Sequence, residues 1–126
     1  MGFILLNALF LLIAVFALII LWWVWPPDSP WSPWWRTTGK KAQAAAKLAG
    51  ISSSDTVYEL GSGDATFLVV AAKQFGARGI GIEIDPIRYL TAWLNVRMNK
   101  VSNKVTLKRK NFFGENLSRA TIVFVY

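Results

Sequence analysis

Hydrophobic and polar residues divide the chain into two parts of different character. From Phe3 to Trp25 every residue is apolar or aromatic except Asn7, and none is charged. As a helix, this run reaches about 34 Å at about 1.5 Å per residue, which is enough to cross a hydrocarbon core of about 30 Å. A helix that is apolar all round indicates a membrane span rather than part of a small soluble domain. We therefore predict a transmembrane anchor over residues 1–25.

A cleaved signal peptide is the competing interpretation of this run. The residues before it include no Lys or Arg, and it ends in Trp22, Trp23 and Trp25 instead of a small-x-small cleavage site. Indole rings favour the headgroup level of a bilayer, so these tryptophans are typical of an interfacial belt. The pattern therefore favours an anchor over a signal peptide.

Residues 26–36 form a linker rich in proline and tryptophan, because prolines at this density cannot continue a helix and favour extended structure. The flanking charges predict the orientation of the anchor. Asp28 is the acidic residue nearest to it, whereas four cations follow: Arg36, Lys40, Lys41 and Lys47. The positive-inside rule then places the C-terminal part in the cytoplasm, or in an organellar matrix if the source is eukaryotic.

The pattern over residues 37–126 alternates between helix and strand. The predicted helices cover Lys40–Leu48, Ala65–Phe75 and Pro86 to about Asn99, and the predicted strands cover Thr56–Leu60, Gly79–Ile84, Lys104–Lys110 and Ala120–Tyr126. Strands separated by helices indicate βαβ units with right-handed crossovers. The sequence therefore predicts an α/β fold built on a parallel sheet.

Composition narrows the chemistry of this second part, which carries the whole formal charge of +7. The chain has no Cys and no His, which excludes disulfides, thiol nucleophiles, Ser-His-Asp triads and zinc sites built on those residues. We expect no metal. Lys104, Lys108, Arg109 and Lys110 form a basic cluster. Beside a membrane anchor we interpret it as a solvated face or an attraction to anionic lipid, and we expect no nucleic acid partner.

A glycine loop carries the candidate chemistry. The stretch Glu59-Leu-Gly-Ser-Gly-Asp64 follows a predicted strand directly and opens a helix, and Glu83 ends the next strand. Glycines permit a tight turn and close approach of a ligand, and a carboxylate after the second strand can accept hydrogen bonds from both ribose hydroxyls of an adenosine group. A dinucleotide fingerprint fails because Thr66 occupies its last glycine position, and no phosphate-binding G-K-[ST] motif is present. Two acidic residues around the loop would repel a pyrophosphate but suit the sulfonium and ammonium groups of S-adenosylmethionine.

These motifs resemble those of class I S-adenosylmethionine-dependent methyltransferases. Val57–Asp64 is similar to the glycine motif of that superfamily, and the stretch from Gly81 to Pro86 is similar to its following acidic motif. A membrane segment, a proline-rich joint and then this motif resemble small membrane-anchored protein-lysine methyltransferases, the relatives of the ATP synthase c-subunit and adenine nucleotide translocase enzymes. The resemblance implies a Rossmann-like sheet with strand order 3-2-1-4 and S-adenosylmethionine as the cofactor.

The resemblance also implies which residues form the cofactor site. They are Glu59, Gly61, Ser62, Gly63, Asp64, Glu83 and Asn111. Glu59 and the two glycines would line the methionine end, Glu83 would hold the ribose, and Asn111 would lie near the adenine amino group. Asp64 has an alternative interpretation as a cap of the helix that follows it. Ala65 departs from the usual third glycine, and no residue is identified as catalytic.

Three functions remain open at this point. The favoured one is methylation of a lysine in a membrane-associated protein, because a short linker confines the site to the membrane surface. Methylation of a lipid, quinone or other membrane-embedded small molecule would be served by the same confinement. The superfamily fold normally continues with further strands, so we expect a C-terminally truncated domain whose last strand is an apolar edge. The third possible function is therefore that of a non-catalytic half-domain that binds the cofactor.

Overall fold

The computed structural model describes residues 2–24 and 34–125, which belong to two compact units that meet in the sequence between Trp35 and Arg36. Most of the predicted linker lies outside the described residues, as do Trp25 and Tyr126. In the first unit, helix α1 spans Gly2–Val24, and its side chains are exposed as far as Trp22. Its mean hydropathy reaches 3.1. By length and composition α1 could cross a membrane, a property that it shares with signal sequences.

The second unit is an α/β domain, as predicted. Its helices are α2 (Gly39–Leu48), α3 (Thr66–Phe75) and α4 (Pro86–Met98), its strands are β1 (Thr56–Leu60), β2 (Arg78–Glu83), β3 (Val105–Arg109) and β4 (Ile122–Val125), and a short 3-10 helix spans Phe112–Gly114. All strand pairs are parallel, and the strand order is β3-β2-β1-β4. The expected fold class and strand order are confirmed.

Local hydrogen bonds explain where the helices begin and end. The Thr38 hydroxyl accepts from the Lys41 N–H and caps α2, whereas Asp85 Oδ1 accepts from the N–H groups of Ile87 and Arg88 and caps α4. Helix α3 ends at Gly76, whose φ of 76° lies in the left-handed region. Strand β4 begins at Ile122, later than the predicted start at Ala120, because the N–H of Ala120 donates to the Leu117 carbonyl oxygen in a turn before the strand.

Helix α3 packs closely onto the centre of the sheet. The side chain of Leu68 lies over β2, where a Cβ on Gly81 would come within 2.9 Å of Leu68 Cδ1 and 2.8 Å of Leu107 Cδ2. The ring of Phe67 stacks on Phe124 of β4, with centroids 3.8 Å apart. Helix α2 packs in turn on α3. This packing fixes the N-terminus of α3 at the carboxyl end of β1, where the glycine loop lies.

Candidate cofactor site

The glycine loop joins β1 to α3 in a conformation that requires its glycines. Gly61 and Gly63 have φ values of 73° and 53°, in the left-handed region that residues with a Cβ disfavour. The N–H groups of Gly61 and Ser62 both donate to the Ile82 carbonyl oxygen at 2.9 Å. The loop therefore turns back onto the end of β2, and this turn brings together the two motifs identified in the sequence.

Glu83 connects the two motifs directly. Its Oε2 accepts the N–H of Gly63 at 2.8 Å, and its Oε1 accepts the N–H of Asp85 at 2.9 Å. The side chain is buried at the carboxyl end of β2. A carboxylate offers about four lone-pair sites, so two backbone donors leave capacity for two further hydrogen bonds. This arrangement is compatible with the predicted grip on two ribose hydroxyls, which stays a prediction.

Glu59 is a buried carboxyl group that lacks part of its hydrogen bonding. It accepts from the backbone N–H of Leu68 in the first turn of α3, while its Oε2 is buried with no partner among residues 2–24 and 34–125. Burial raises the pKa of Glu59 well above its ordinary value of 4.5, and the charges of Asp64 and Glu83 raise this pKa further. Burial therefore disfavours the ionised form of Glu59 relative to an exposed carboxyl group.

Ser62 provides a second buried polar atom at the same loop. Its Oγ has no hydrogen-bond partner in the part of the chain that the structure describes. Unsatisfied buried polar atoms are costly, and they mark places where a polar ligand group gains binding energy. The Ser62 hydroxyl and the unpaired Glu59 oxygen are therefore compatible with hydrogen bonds to the ammonium and carboxylate groups at the methionine end of S-adenosylmethionine.

Asp64 is held from three directions by the domain itself. Its Oδ2 accepts from Arg36 Nε at 3.0 Å and Nη2 at 2.6 Å, and its Oδ1 accepts from the Thr66 hydroxyl at 2.8 Å and the Thr66 N–H. Its carbonyl oxygen accepts from Asn95 Nδ2 at 2.8 Å. The Asp64 carboxylate accepts the N–H of the first residue of α3, but Ala65, and not Asp64, occupies the N-cap position, so the capping interpretation is wrong in position. Asp64 positions the loop, and its predicted contact with the cofactor remains untested.

These contacts change the electrostatic argument made from the sequence. The sequence predicts two uncompensated negative charges around the loop, but Arg36 pairs with Asp64, and burial of Glu59 disfavours its ionised form. Repulsion of a pyrophosphate is therefore weaker than the sequence indicates. The preference for S-adenosylmethionine over a dinucleotide therefore depends more on the loop conformation and on Glu83 than on repulsion of phosphate.

Sequence reasoning missed Arg36, Thr66 and Asn95 as parts of this site. Arg36 and Asn95 are 28 and 31 positions from Asp64, and no local pattern links them to it. Asn95 did carry one available indication, because a polar residue interrupts the side of α4 on which Ala92 and Val96 are buried. Such a residue on a packed helix side normally has a hydrogen-bond partner.

Asn111 lies just beyond β3, at the same edge of the sheet, and its side chain is exposed. Its Oδ1 accepts the N–H of Phe113 at 3.0 Å and caps the 3-10 helix. An amide oxygen has a second lone pair and its nitrogen has two donors, so the predicted contact with adenine remains open to test. Among the described residues, no cluster of three or more His, Cys, Asp or Glu could hold a metal ion.

The parallel sheet, its strand order and the acidic glycine loop define the class of this protein, which is that of class I S-adenosylmethionine-dependent methyltransferases. A family model described as the ANTKMT methyltransferase domain matches residues 59–126, and the chain belongs to that family. The expectations for superfamily and cofactor class are thereby confirmed.

Individual relatives agree with this class. The protein-lysine N-methyltransferase of Saccharolobus islandicus is 33% identical over 101 residues, which cover 79% of this chain and 61% of the relative. The ribosomal protein L11 methyltransferase of Alkaliphilus oremlandii is 36% identical over 58% of this chain and 23% of the relative. The crystal structure of an RNA methyltransferase from Salinibacter ruber in complex with S-adenosylhomocysteine superposes with a TM-score of 0.71 at 35% identity, covering 73% of this chain and 60% of that one. The chain thus spans less than two thirds of these relatives.

Proposed function

We propose that this protein is a membrane-anchored S-adenosylmethionine-dependent methyltransferase that methylates a lysine of a membrane-associated protein. The main support for a lysine acceptor is the similarity to the Saccharolobus protein-lysine N-methyltransferase over 79% of the chain. The L11 methyltransferase relatives are also named for a protein acceptor, which supports a protein over a lipid or quinone. Helix α1 supports the membrane location, because it is long and apolar enough to span a bilayer.

The proposed chemistry depends on positioning. When bound, the cofactor would supply a methyl group on a sulfonium: the uncharged lysine amine would form a bond to the methyl carbon as the sulfur–carbon bond breaks and S-adenosylhomocysteine leaves. Glu83 orients the cofactor through the ribose, and the glycines at 61 and 63 allow it to approach the backbone closely. Arg36 and Asn95 hold the loop in place through Asp64. A lysine acceptor must lose a proton before the transfer, and we assign that step to none of the described residues.

The proposed location follows from charge. Helix α1 carries no charged residue, whereas Arg36, Lys40, Lys41 and Lys47 follow it. The positive-inside rule supports a single span with the domain on the cytoplasmic side, or in an organellar matrix. A domain held near the bilayer by a short linker would meet membrane-associated proteins more often than soluble ones. This confinement supports the substrate class.

The experiment is a transfer assay with radiolabelled S-adenosylmethionine. The full-length protein in liposomes would be mixed with membranes from its source organism, and proteins and lipids would be separated before counting. We expect label in a membrane protein, released on hydrolysis as methyllysine. The Glu83→Ala variant should give much less label, and Asp55→Asn should keep it because Asp55 lies before β1 at the opposite edge of the sheet. Label confined to the organic extract would replace the protein acceptor with a lipid, and label in neither fraction would contradict the proposed activity.

A further inference from the structure

The outward side of α4 is apolar, which is unusual for a helix side that faces solvent. Leu90, Trp93, Leu94 and Met98 are exposed by 54%, 38%, 46% and 80%. Their spacing places them on one side of the helix, which we call the α4 stripe. The opposite side packs on the domain, since Ala92 and Val96 are buried. A solvent-facing helix side normally carries polar residues, so the α4 stripe needs a different explanation.

The exposed charges of the domain, among the residues that the structure describes, are almost all positive. Every acidic side chain that the structure describes is buried or hydrogen-bonded: four lie buried in the cofactor region, Glu115 is enclosed by Lys108 and Lys110, and Asp55 accepts from Ser52 and Thr121. In contrast, all Lys and Arg except Arg88 and Lys108 are exposed. The domain therefore presents a mainly cationic surface, in keeping with the net charge of +7 of the chain.

Two cations, Arg97 and Lys100, adjoin the α4 stripe, so that apolar and cationic groups lie side by side there. The Arg97 guanidinium lies over the Trp93 ring, 4.3 Å from its centroid, and Lys100 follows one turn later. Tryptophan and arginine are favoured at the headgroup level of a bilayer, where the ring or stem contacts acyl chains and the polar end contacts water or phosphate. Leucine and methionine next to them supply apolar area that enters the acyl boundary.

We propose that the α4 stripe is a membrane-contact surface that docks the domain on an anionic lipid bilayer. Leu90, Leu94 and Met98 enter the boundary between headgroups and acyl chains, and Arg97 binds lipid phosphate. A nucleic acid would use the exposed cations but gains little from leucine and methionine, because its affinity depends on phosphate contacts and base stacking. Complementary charge and apolar area together fit a bilayer. This inference goes beyond the proposed function, since it concerns neither α1 nor the cofactor loop.

The absence of cysteine in the chain gives a direct test. A single Leu94→Cys variant of the full chain carries an environment-sensitive fluorophore, and Ser54→Cys is the matched control in an exposed turn. Both are reconstituted in liposomes of phosphatidylcholine with about one third phosphatidylglycerol, in which spin-labelled lipid quenches fluorophores near the acyl chains. We expect quenching at position 94 about twofold or more above that at position 54, with a blue-shifted emission.

A second label position and two substitutions of Arg97 test the membrane contact further. A Leu90→Cys label should behave like the label at position 94, and this second site serves if Leu94→Cys does not fold. Arg97→Glu should reduce the quenching at position 94 in anionic liposomes, and Arg97→Lys should retain it. Equal quenching at positions 54 and 94 would overturn the proposal. The proposal would also be overturned if RNA, and not lipid, changed the emission of the label at position 94. That result would identify a nucleic acid surface.

Discussion

Ala65 adopts a backbone conformation that residues with a side chain rarely occupy. Its φ is 58° and its ψ is 26°, and its side chain is fully buried between the glycine loop and α3. For an L-residue this region costs roughly 1–2 kcal/mol relative to the right-handed one. The strain is tolerated because the loop is fixed on both sides by hydrogen bonds of Ser62 and Asp64.

The first prediction follows from this conformation. Ala65→Gly relieves the strain but loses a buried methyl group and adds backbone freedom to the unfolded chain, so its stability should stay within about 1 kcal/mol of wild type. Ala65→Val should lose about 2 kcal/mol or more, because a β-branched residue is disfavoured at positive φ and no space surrounds the site. Thermal melts of the two variants in detergent micelles check this. Similar melts for both would contradict the left-handed conformation.

The second prediction concerns the pH dependence caused by Glu59. Burial raises the pKa of this carboxyl group in the folded protein above its ordinary value of 4.5. The folded state therefore retains a proton that the unfolded state has lost, so the contribution of Glu59 to stability decreases as pH rises above the unfolded pKa. Glu59→Gln cannot ionise. Its melting temperature relative to wild type should rise between about pH 4 and pH 8.

Asp55 provides the reference for this measurement. The backbone N–H of Ser52 and the hydroxyl of Thr121 lower the pKa of Asp55 below its ordinary value of 3.8. Stability from Asp55 is present above that ordinary value and is lost as pH falls through the folded pKa. Asp55→Asn should therefore lose stability relative to wild type as pH rises from strongly acidic values, in the opposite direction to Glu59→Gln. If the melting temperature of Glu59→Gln relative to wild type did not change with pH, the pKa of Glu59 would be the same in the folded and unfolded states, and the prediction would be wrong.

At the level of elements, the glycines of β2 determine how closely α3 approaches the sheet. A Cβ at position 81 would meet Leu68, Leu107 and the Ser62 hydroxyl within 3.0 Å. We predict that Gly81→Ala destabilises the domain by about 1–3 kcal/mol through overpacking. It should also weaken cofactor binding, because the Ser62 hydroxyl must shift away from the new Cβ. Melting curves and titration with S-adenosylhomocysteine measure the two effects.

Gly39 gives a matched control for the same substitution. It lies at the first position of α2, and a Cβ there would meet no atom of the described residues within 4 Å. Gly39→Ala should therefore change stability by no more than about 0.5 kcal/mol. If Gly81→Ala were as well tolerated as Gly39→Ala, the close packing of α3 on β2 would be contradicted.

The elements were largely predictable from the sequence because their determinants are local. Periodic apolar positions, the caps Thr38 and Asp85 and the terminal Gly76 lie within a few residues of the boundaries that they define. The three-residue 3-10 helix after Asn111 escaped prediction because a single turn has no periodicity to detect. The pair between Arg36 and Asp64 also escaped, because it exists only once the chain preceding α2 has folded against the glycine loop.

The candidate site likewise has features that follow from the sequence and features that depend on the folded structure. The pairing of the loop with Glu83 follows from two motifs at the ends of neighbouring parallel strands, which must meet at one edge of a sheet. The raised pKa of Glu59 results instead from its burial, which residue order alone does not reveal. Sequence reasoning therefore predicted that the two motifs meet, and the structure adds the burial that raises the pKa of Glu59.

At the scale of the whole molecule, charge is segregated along the chain. Helix α1 has no ionisable side chain, and the cations lie in the domain beginning at Arg36. We predict that α1 remains in the protein and spans the bilayer once. A label at Ser54→Cys should react with a membrane-impermeant reagent in inverted vesicles but not in right-side-out vesicles. A mature form that starts after Trp25 would instead identify a signal peptide.

The most direct test of the central claim, that the glycine loop and Glu83 hold S-adenosylmethionine, is calorimetric titration of the full chain in detergent micelles with S-adenosylhomocysteine and with NAD. S-adenosylhomocysteine should bind and NAD should bind more weakly or not at all. Glu83→Ala should weaken the first titration by about 1–3 kcal/mol, or roughly 5- to 150-fold, through lost charge-assisted hydrogen bonds, and Asp55→Asn should leave it unchanged. Tighter binding of NAD, or undiminished affinity in a folded Glu83→Ala variant, would contradict the account.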